Sequence, residues 1–277
     1  MLQTVILALV QSVAEFLPVS SSAHLILTPR LFGWNDQGMA MDIALHIGTL
    51  FSVLIYFRKD TAAIIGGSFD LLKRRFASPR ARLALKLGIA CAPVFLVGFF
   101  CHTYIEEYFR NPRLIAVTAI VFGILLYWAD KKGTSAGNVE QMGLNDAFWI
   151  GAAQVLALIP GVSRSGITMT AARALGINRE ESARFSMLLS IPTIGAAGAF
   201  GVMQILTQPA GENPPEKMIL LGMLIAFAAG ILAIGFLMKW LKHSSFAIFA
   251  AYRILLGIFL FYLFLLYPLY PLLDFLS

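Results

Sequence analysis

The sequence predicts an all-α polytopic membrane protein, with about six transmembrane helices plus two re-entrant helical hairpins in an inverted-topology repeat. Three observations predict it. Hydrophobic residues make up 58% of the 277 positions and charged residues only 13%, roughly half the charged share of a soluble domain. The apolar residues gather into runs close to the roughly 20 residues that a span requires. Two short stretches, polar where lipid favours apolar sequence, repeat one another.

Taken in order, the first apolar run breaks at Pro18. It lacks a basic leading region and a small-residue cleavage site, so it reads as a broken helix and not as a removable signal peptide. Full spans are expected near 39–57, 82–102, 111–129, 183–207, 217–238 and 246–268. No long polar stretch offers a soluble domain, so residues 1–277 read as a single membrane domain with halves of about 1–140 and 141–277. Three spans separate the polar stretches, which leaves an odd number of crossings in each half and inverts the second half.

Loop charge orients the chain. Fifteen Lys and Arg fall on one side, from Arg58 and Lys59 through Lys73-Arg74-Arg75 to Lys239 and Lys242. Four fall on the other: Arg30, Arg110, Arg113 and Lys217. The richer side is cytoplasmic by the positive-inside rule, which puts both termini on the periplasmic side. The net charge of +6 is mostly this loop bias, so it does not indicate nucleic-acid binding, and Lys73-Arg74-Arg75 is expected to meet anionic lipid head groups. Cys91 and Cys101 share one apolar run and read as buried thiols. The glycines between Ile194 and Gly201 let helices approach closely. No metal-binding Cys/His spacing, Walker sequence or dinucleotide fingerprint is present.

The chemistry lies in the two polar stretches. The first carries Gln11, Glu15, Pro18, Ser20, Ser21, Ser22 and His24; the second carries Gln154, Pro160, Gly161, Ser163, Arg164, Ser165 and Thr168. With one residue of slippage the prolines and serines superpose. Gln11 and Glu15 are four apart and share a helix face. After each proline a serine can cap a new helix. A helix N-terminus presents free N–H groups and positive dipole, which suits an anion. Two such ends with an Arg and several hydroxyls suit phosphate. The plainer alternatives are structural: Glu15 neutralised by Arg164, His24 as an interhelical hydrogen-bonder, and serines bonded to their own backbone. Asp42 and His46, also four apart, face either the site or the head groups, Arg253 is expected to snorkel to the cytoplasmic surface, and Gln154 mirrors Gln11 and joins the hairpins.

These residues resemble the undecaprenyl-diphosphate phosphatase family of the bacitracin-resistance type. Its signatures, (E/Q)-x-x-x-E and P-G-x-S-R-S-x-x-T, stand here as Gln11-Ser12-Val13-Ala14-Glu15 and Pro160-Gly161-Val162-Ser163-Arg164-Ser165-Gly166-Ile167-Thr168. Ser20-Ser21-Ser22 followed by His24 is similar to the family's serine-rich loop. Many relatives carry Glu at the position of Gln11, which argues against its serving as an essential acid or strong cation ligand. The resemblance implies an integral enzyme of the bacterial cytoplasmic membrane that hydrolyses a C55 polyprenyl diphosphate to the monophosphate and inorganic phosphate, recycling the lipid carrier for wall glycans. It also implies a divalent cation, Mg²⁺ or Ca²⁺, a homodimer in the lipid bilayer, and a pocket opening towards the periplasm.

Roles follow from the resemblance. Arg164 clamps the phosphates. Ser163, Ser165 and Thr168, with Gln11, Ser20 and Ser22, hold the remaining oxygens. Glu15 holds the cation or positions the nucleophile. Ser21 attacks phosphorus with His24 or Glu15 taking its proton; attack by water and phosphorylation of His24 are the alternatives. The competing function is transport without hydrolysis, by a polyprenyl-phosphate flippase or an anion carrier. A non-catalytic scaffold would leave Glu15 and Arg164 unexplained.

Overall fold

Eleven α-helices account for nearly all of the described chain. A computed structural model describes residues 1–35, 37–108, 111–133, 137–207 and 214–266. The first half contains α1 (Leu2–Phe16), α2 (Ser21–Phe32), α3 (Gly38–Tyr56), α4 (Arg58–Leu72), α5 (Pro79–Tyr108) and α6 (Pro112–Lys132). The second contains α7 (Leu144–Gln154), α8 (Arg164–Ala174), α9 (Arg179–Thr207), α10 (Glu216–Leu241) and α11 (Ala247–Leu266). Among the described residues the only β contact is an isolated bridge between Gly137 and Ile177.

Six helices are long and apolar enough to cross a bilayer: α3, α5, α6, α9, α10 and α11. They coincide with the six expected spans to within a few residues at most ends. Arg110 of the charge reading, and the chain end at 267–277, lie outside the described residues. One element goes beyond the sequence reading, which placed no helix between the spans expected near 39–57 and 82–102. Residues 58–72 form α4, too short for a span, with exposed Ile65, Phe69 and Leu72 beside Lys73-Arg74-Arg75. Asp70 pins its end to the start of α5 by accepting hydrogen bonds from Arg80 and Ser78.

The two polar stretches are broken helices that fold back on themselves. α1 packs against α2, and α7 against α8. α1 is 15 residues long and α7 only 11, or about 23 and 17 Å at 1.5 Å per residue, short of a ~30 Å hydrocarbon core. Three spans, α3, α5 and α6, separate the hairpins, so the second enters from the opposite side to the first.

The halves interlock. α3 packs on α10 and α9, and α6 packs on α11 and α8. Close approach depends on glycine at Gly151, where a β-carbon would collide with the backbone of Ala90 on α5. At one end a buried cluster ties four helices together: Asp130 of α6 accepts from Arg173 of α8 at 3.0 Å, from Arg179 of α9 at 2.7 Å and from the Phe246 N–H that opens α11 at 3.0 Å. Cys91 is buried and Cys101 only partly so.

Candidate active site

The tips of the hairpins meet. α1 ends at Phe16 because Pro18 cannot continue it, and the chain turns through Ser20, whose φ of 77° is unusual for a residue with a side chain. α2 then begins at Ser21, with His24 in its first turn. In the second hairpin α7 tightens into a 3-10 turn at Val155–Leu158, and Pro160 and Gly161 reverse the chain. Gly161 has φ of 91°, and a β-carbon there would strike Thr118 and Ile115. Ser163, with φ of 71°, caps α8 by accepting the Gly166 N–H at 3.1 Å.

Glu15 and Arg164, 149 residues apart, form an ion pair at 2.9 Å between the tips. Arg164 is held from behind by the Ser186 carbonyl, to which Nη1 donates at 2.8 Å. Glu15 accepts in addition from Ser21 Oγ at 2.8 Å and from Gln11 Nε2 at 3.2 Å. Ser165 Oγ donates to the Leu17 carbonyl at 3.3 Å, a second bond across the tips. Taking two charges out of water costs several kcal/mol each, an expense recovered only where the geometry is good and the remaining atoms are paired. Here they are largely paired.

A cavity of about 640 Å³ opens from this ion pair. Its polar wall contains Glu15, Ser21, Ser22, Ser163, Arg164 and Gln154, while Ile43, Phe95, Phe99, Ile194 and Phe200 make the rest apolar. Asp42 and His46 also line it. The sequence left these two open between site and head groups; they face the site. His46 Nδ1 pairs with the Asp42 carbonyl at 2.8 Å and its Nε2 lies 3.8 Å from Glu15. The signal in the sequence was their i,i+4 spacing, which puts both on one face of α3.

The other expected site residues stand behind this wall. Gln11 and Ser20 are fully buried, and Ser20 Oγ lies 3.3 Å from Ser22 Oγ. Ser165 and Thr168 are buried too; Thr168 Oγ1 pairs with Ser186 Oγ at 2.7 Å and donates to the Arg164 carbonyl at 2.8 Å, joining α8 to α9. His24 points elsewhere. Its Nδ1 meets the Ser20 carbonyl at 2.7 Å, its Nε2 meets Tyr252 Oη at 2.6 Å, and it lines a separate apolar cavity between α1, α10 and α11. Arg253 does not snorkel. It is fully buried, donating from Nη2 to the Gly161 and Val162 carbonyls at 2.9 and 2.7 Å. The turn's carbonyls have left their helix and need donors, and Arg253 supplies one.

Comparison with known proteins gives the family. The family described as Bacitracin resistance protein BacA matches residues 4–259. The chain belongs to that family. Among its relatives is the undecaprenyl-diphosphatase of Jannaschia sp. (strain CCS1), 44% identical over 256 residues, which are 92% of this chain and 95% of the relative. The undecaprenyl-diphosphatase of Saccharophagus degradans is 44% identical over 260 residues, covering 94% and 97%. That of Alcanivorax borkumensis is 42% identical over 256 residues, covering 92% and 96%. In this BacA-family chain both signatures fall within the matched residues, and their acid and base are the two halves of the bridging ion pair.

Proposed function

We propose that the protein is an integral-membrane phosphatase that hydrolyses undecaprenyl diphosphate to the monophosphate and inorganic phosphate, recycling the lipid carrier for cell-wall synthesis. The observation that carries this is the Glu15–Arg164 pair, set between two helix N-termini at the head of an apolar-walled cavity. The chain's relatives are named undecaprenyl-diphosphatase. A head group reaches the pair while its isoprenoid tail lies along Phe95, Phe99 and Phe200. Lifting such a tail out of lipid costs about 0.8 kcal/mol per methylene, so the chemistry takes place inside the bilayer.

Phosphoryl transfer asks mainly for positioning and charge stabilisation. Arg164 holds the terminal phosphate as Glu15 turns to its second task. Ser21 Oγ attacks the terminal phosphorus, the bond to the bridging oxygen breaks, and the lipid monophosphate leaves. Glu15 takes the Ser21 proton and passes it to the departing bridging oxygen, which restores the carboxylate. Water then attacks the phosphoserine, Glu15 taking a proton from the water and returning it to Ser21 Oγ as the phosphorus–oxygen bond breaks, and inorganic phosphate is released. What supports Ser21 as the attacker is its 2.8 Å bond to Glu15; His24 faces the other cavity.

A divalent cation fits as a partner shared with substrate. No group of three or more His, Cys, Asp or Glu able to hold a metal occurs among the described residues. Glu15, which lines the cavity, is a hard oxygen donor, and Mg²⁺ is commonly held by one or two carboxylates together with substrate phosphates. When bound, such an ion neutralises charge on the diphosphate oxygens. In this reading the cavity opens towards the periplasm, which is supported by its lining: the start of α3 and the second halves of α5 and α9, away from the basic loops. Periplasmic termini and a homodimer complete the reading, the dimer on resemblance alone.

Detergent-purified protein with farnesyl diphosphate and Mg²⁺ should release inorganic phosphate, and Arg164→Ala should abolish the release. Scrambling of polyprenyl phosphate in vesicles without any phosphate release would replace this reading with a carrier.

A further inference from the structure

Gln154 closes α7 and is 1% exposed, yet its side chain lines the cavity that also holds Arg164. Neither its Nε2 nor its Oε1 has a hydrogen-bond partner among the described residues. Buried polar atoms are paired in roughly nine cases in ten or more, so an amide with both ends unpaired calls for a physical reason.

The first hairpin supplies it. There the matching glutamine, Gln11, donates Nε2 to Glu15, four residues further along the same helix. Four residues beyond Gln154 stands Leu158, which lines the cavity as well. The repeat kept the glutamine and replaced its carboxylate with an aliphatic side chain. The chain also leaves α-helical geometry directly after Gln154, tightening into the turn at Val155–Leu158. Nothing on its own element answers the amide, whose two polar atoms are buried, and the residue borders the cavity where the phosphates bind.

A primary amide presents a donor and an acceptor side by side. That pair matches a phosphate bearing one proton, with a bare oxygen next to a hydroxyl. It is a different offer from Arg164, which only donates, and from Glu15, which as a carboxylate only accepts. We propose that Gln154 is a further substrate-binding residue, whose amide clamps the diphosphate head group, Nε2 donating to a phosphoryl oxygen and Oε1 accepting from a protonated one. This rests on the phosphatase reading above. The same clamp fits inorganic phosphate, so Gln154 contributes to product inhibition as well as to substrate affinity.

The test uses the purified full chain. Gln154→Leu keeps the volume and removes both polar atoms. It should raise the KM for farnesyl diphosphate about tenfold with kcat within about twofold, and raise the phosphate concentration needed for inhibition in parallel. Its melting midpoint without ligand should stay level or rise, because an unpaired buried amide has gone, while stabilisation by inorganic pyrophosphate shrinks. Gln154→Glu keeps the shape but swaps the donor for negative charge, and should raise KM further; it decides the matter if Gln154→Leu does not fold. Unaltered KM and an unaltered pyrophosphate shift in these variants, or a lower midpoint with normal KM, would overturn the proposal and leave Gln154 a packing residue. Absence of phosphate release from the unsubstituted protein would instead sink the phosphatase reading, and the pyrophosphate shift would still report on Gln154.

Discussion

Ser20 in the first hairpin and Ser163 in the second turn the chain at nearly the same positive φ, 77° and 71°, and each hydroxyl lies 3.3 Å from that of the serine two residues on. The likeness stops there. Ser163 caps its helix through Gly166, whereas Ser20 makes no side-chain cap. Arg164 is braced by Ser186 and its turn by Arg253. The polar side chains of the first tip converge on one carboxylate, Glu15, which takes bonds from Gln11, Ser21 and Arg164. One backbone device is thus used twice, once to seat a braced arginine and once to seat a carboxylate beside a hydroxyl. Strained turns of this kind concentrate at functional sites.

The sharpest way to break that comparison is to remove its cation. Arg164→Ala should cut phosphate release by about a thousandfold or more, as loss of an arginine that stabilises a transferring phosphoryl does. It also strands a buried Glu15, at about 3–5 kcal/mol. The double substitution with Glu15→Gln should recover much of the melting midpoint and none of the activity. Recovery of both would mean that the pair serves the fold alone.

Next comes the reactive tip. Ser21→Ala should lower kcat at least about a hundredfold with little change in midpoint, since Ser21 is only partly buried. Within the same tip His24→Ala should cost less, because His24 acts on the site only by holding the Ser20 carbonyl. If His24→Ala proves as damaging as Ser21→Ala, the division between the two cavities fails.

The clamp should show the opposite balance. Ser163→Ala removes a helix cap and should cost about 1 kcal/mol of stability, read as a lower midpoint, with a smaller loss of activity than Ser21→Ala. The smallest effect belongs far from both tips, at the end of α4. Hydrogen bonds from Arg80 and then Ser78 lower the Asp70 carboxyl from 3.8 to about 2. Because folding lowers this value, the contribution of Asp70 is complete above pH 3.8 and drains away as the pH falls towards 2. Asp70→Asn should therefore lower the midpoint slightly at neutral pH and lose that difference in strong acid.

The spans and the bridging pair were legible because both rest on local pattern: apolar length for the helices, and a repeated proline–serine spacing for the tips. What the sequence left open, as at His24, or misjudged, as at Arg253, depended on distant partners. His24 falls on the expected turn of α2, but its direction is set by Tyr252 on α11, 228 residues away. Arg253 resembles a snorkelling cation until α11 packs against α6 and brings it beneath the Gly161 turn. α4 was missed because its apolar residues are too few for a span and its charges read as a loop, although the two together describe a helix lying along a surface.

Because the acid comes from one half and the base from the other, neither half holds a working pocket by itself. A chain made from its N-terminus carries Glu15 without its cation until the second hairpin is in place, so the pair is among the last contacts to close.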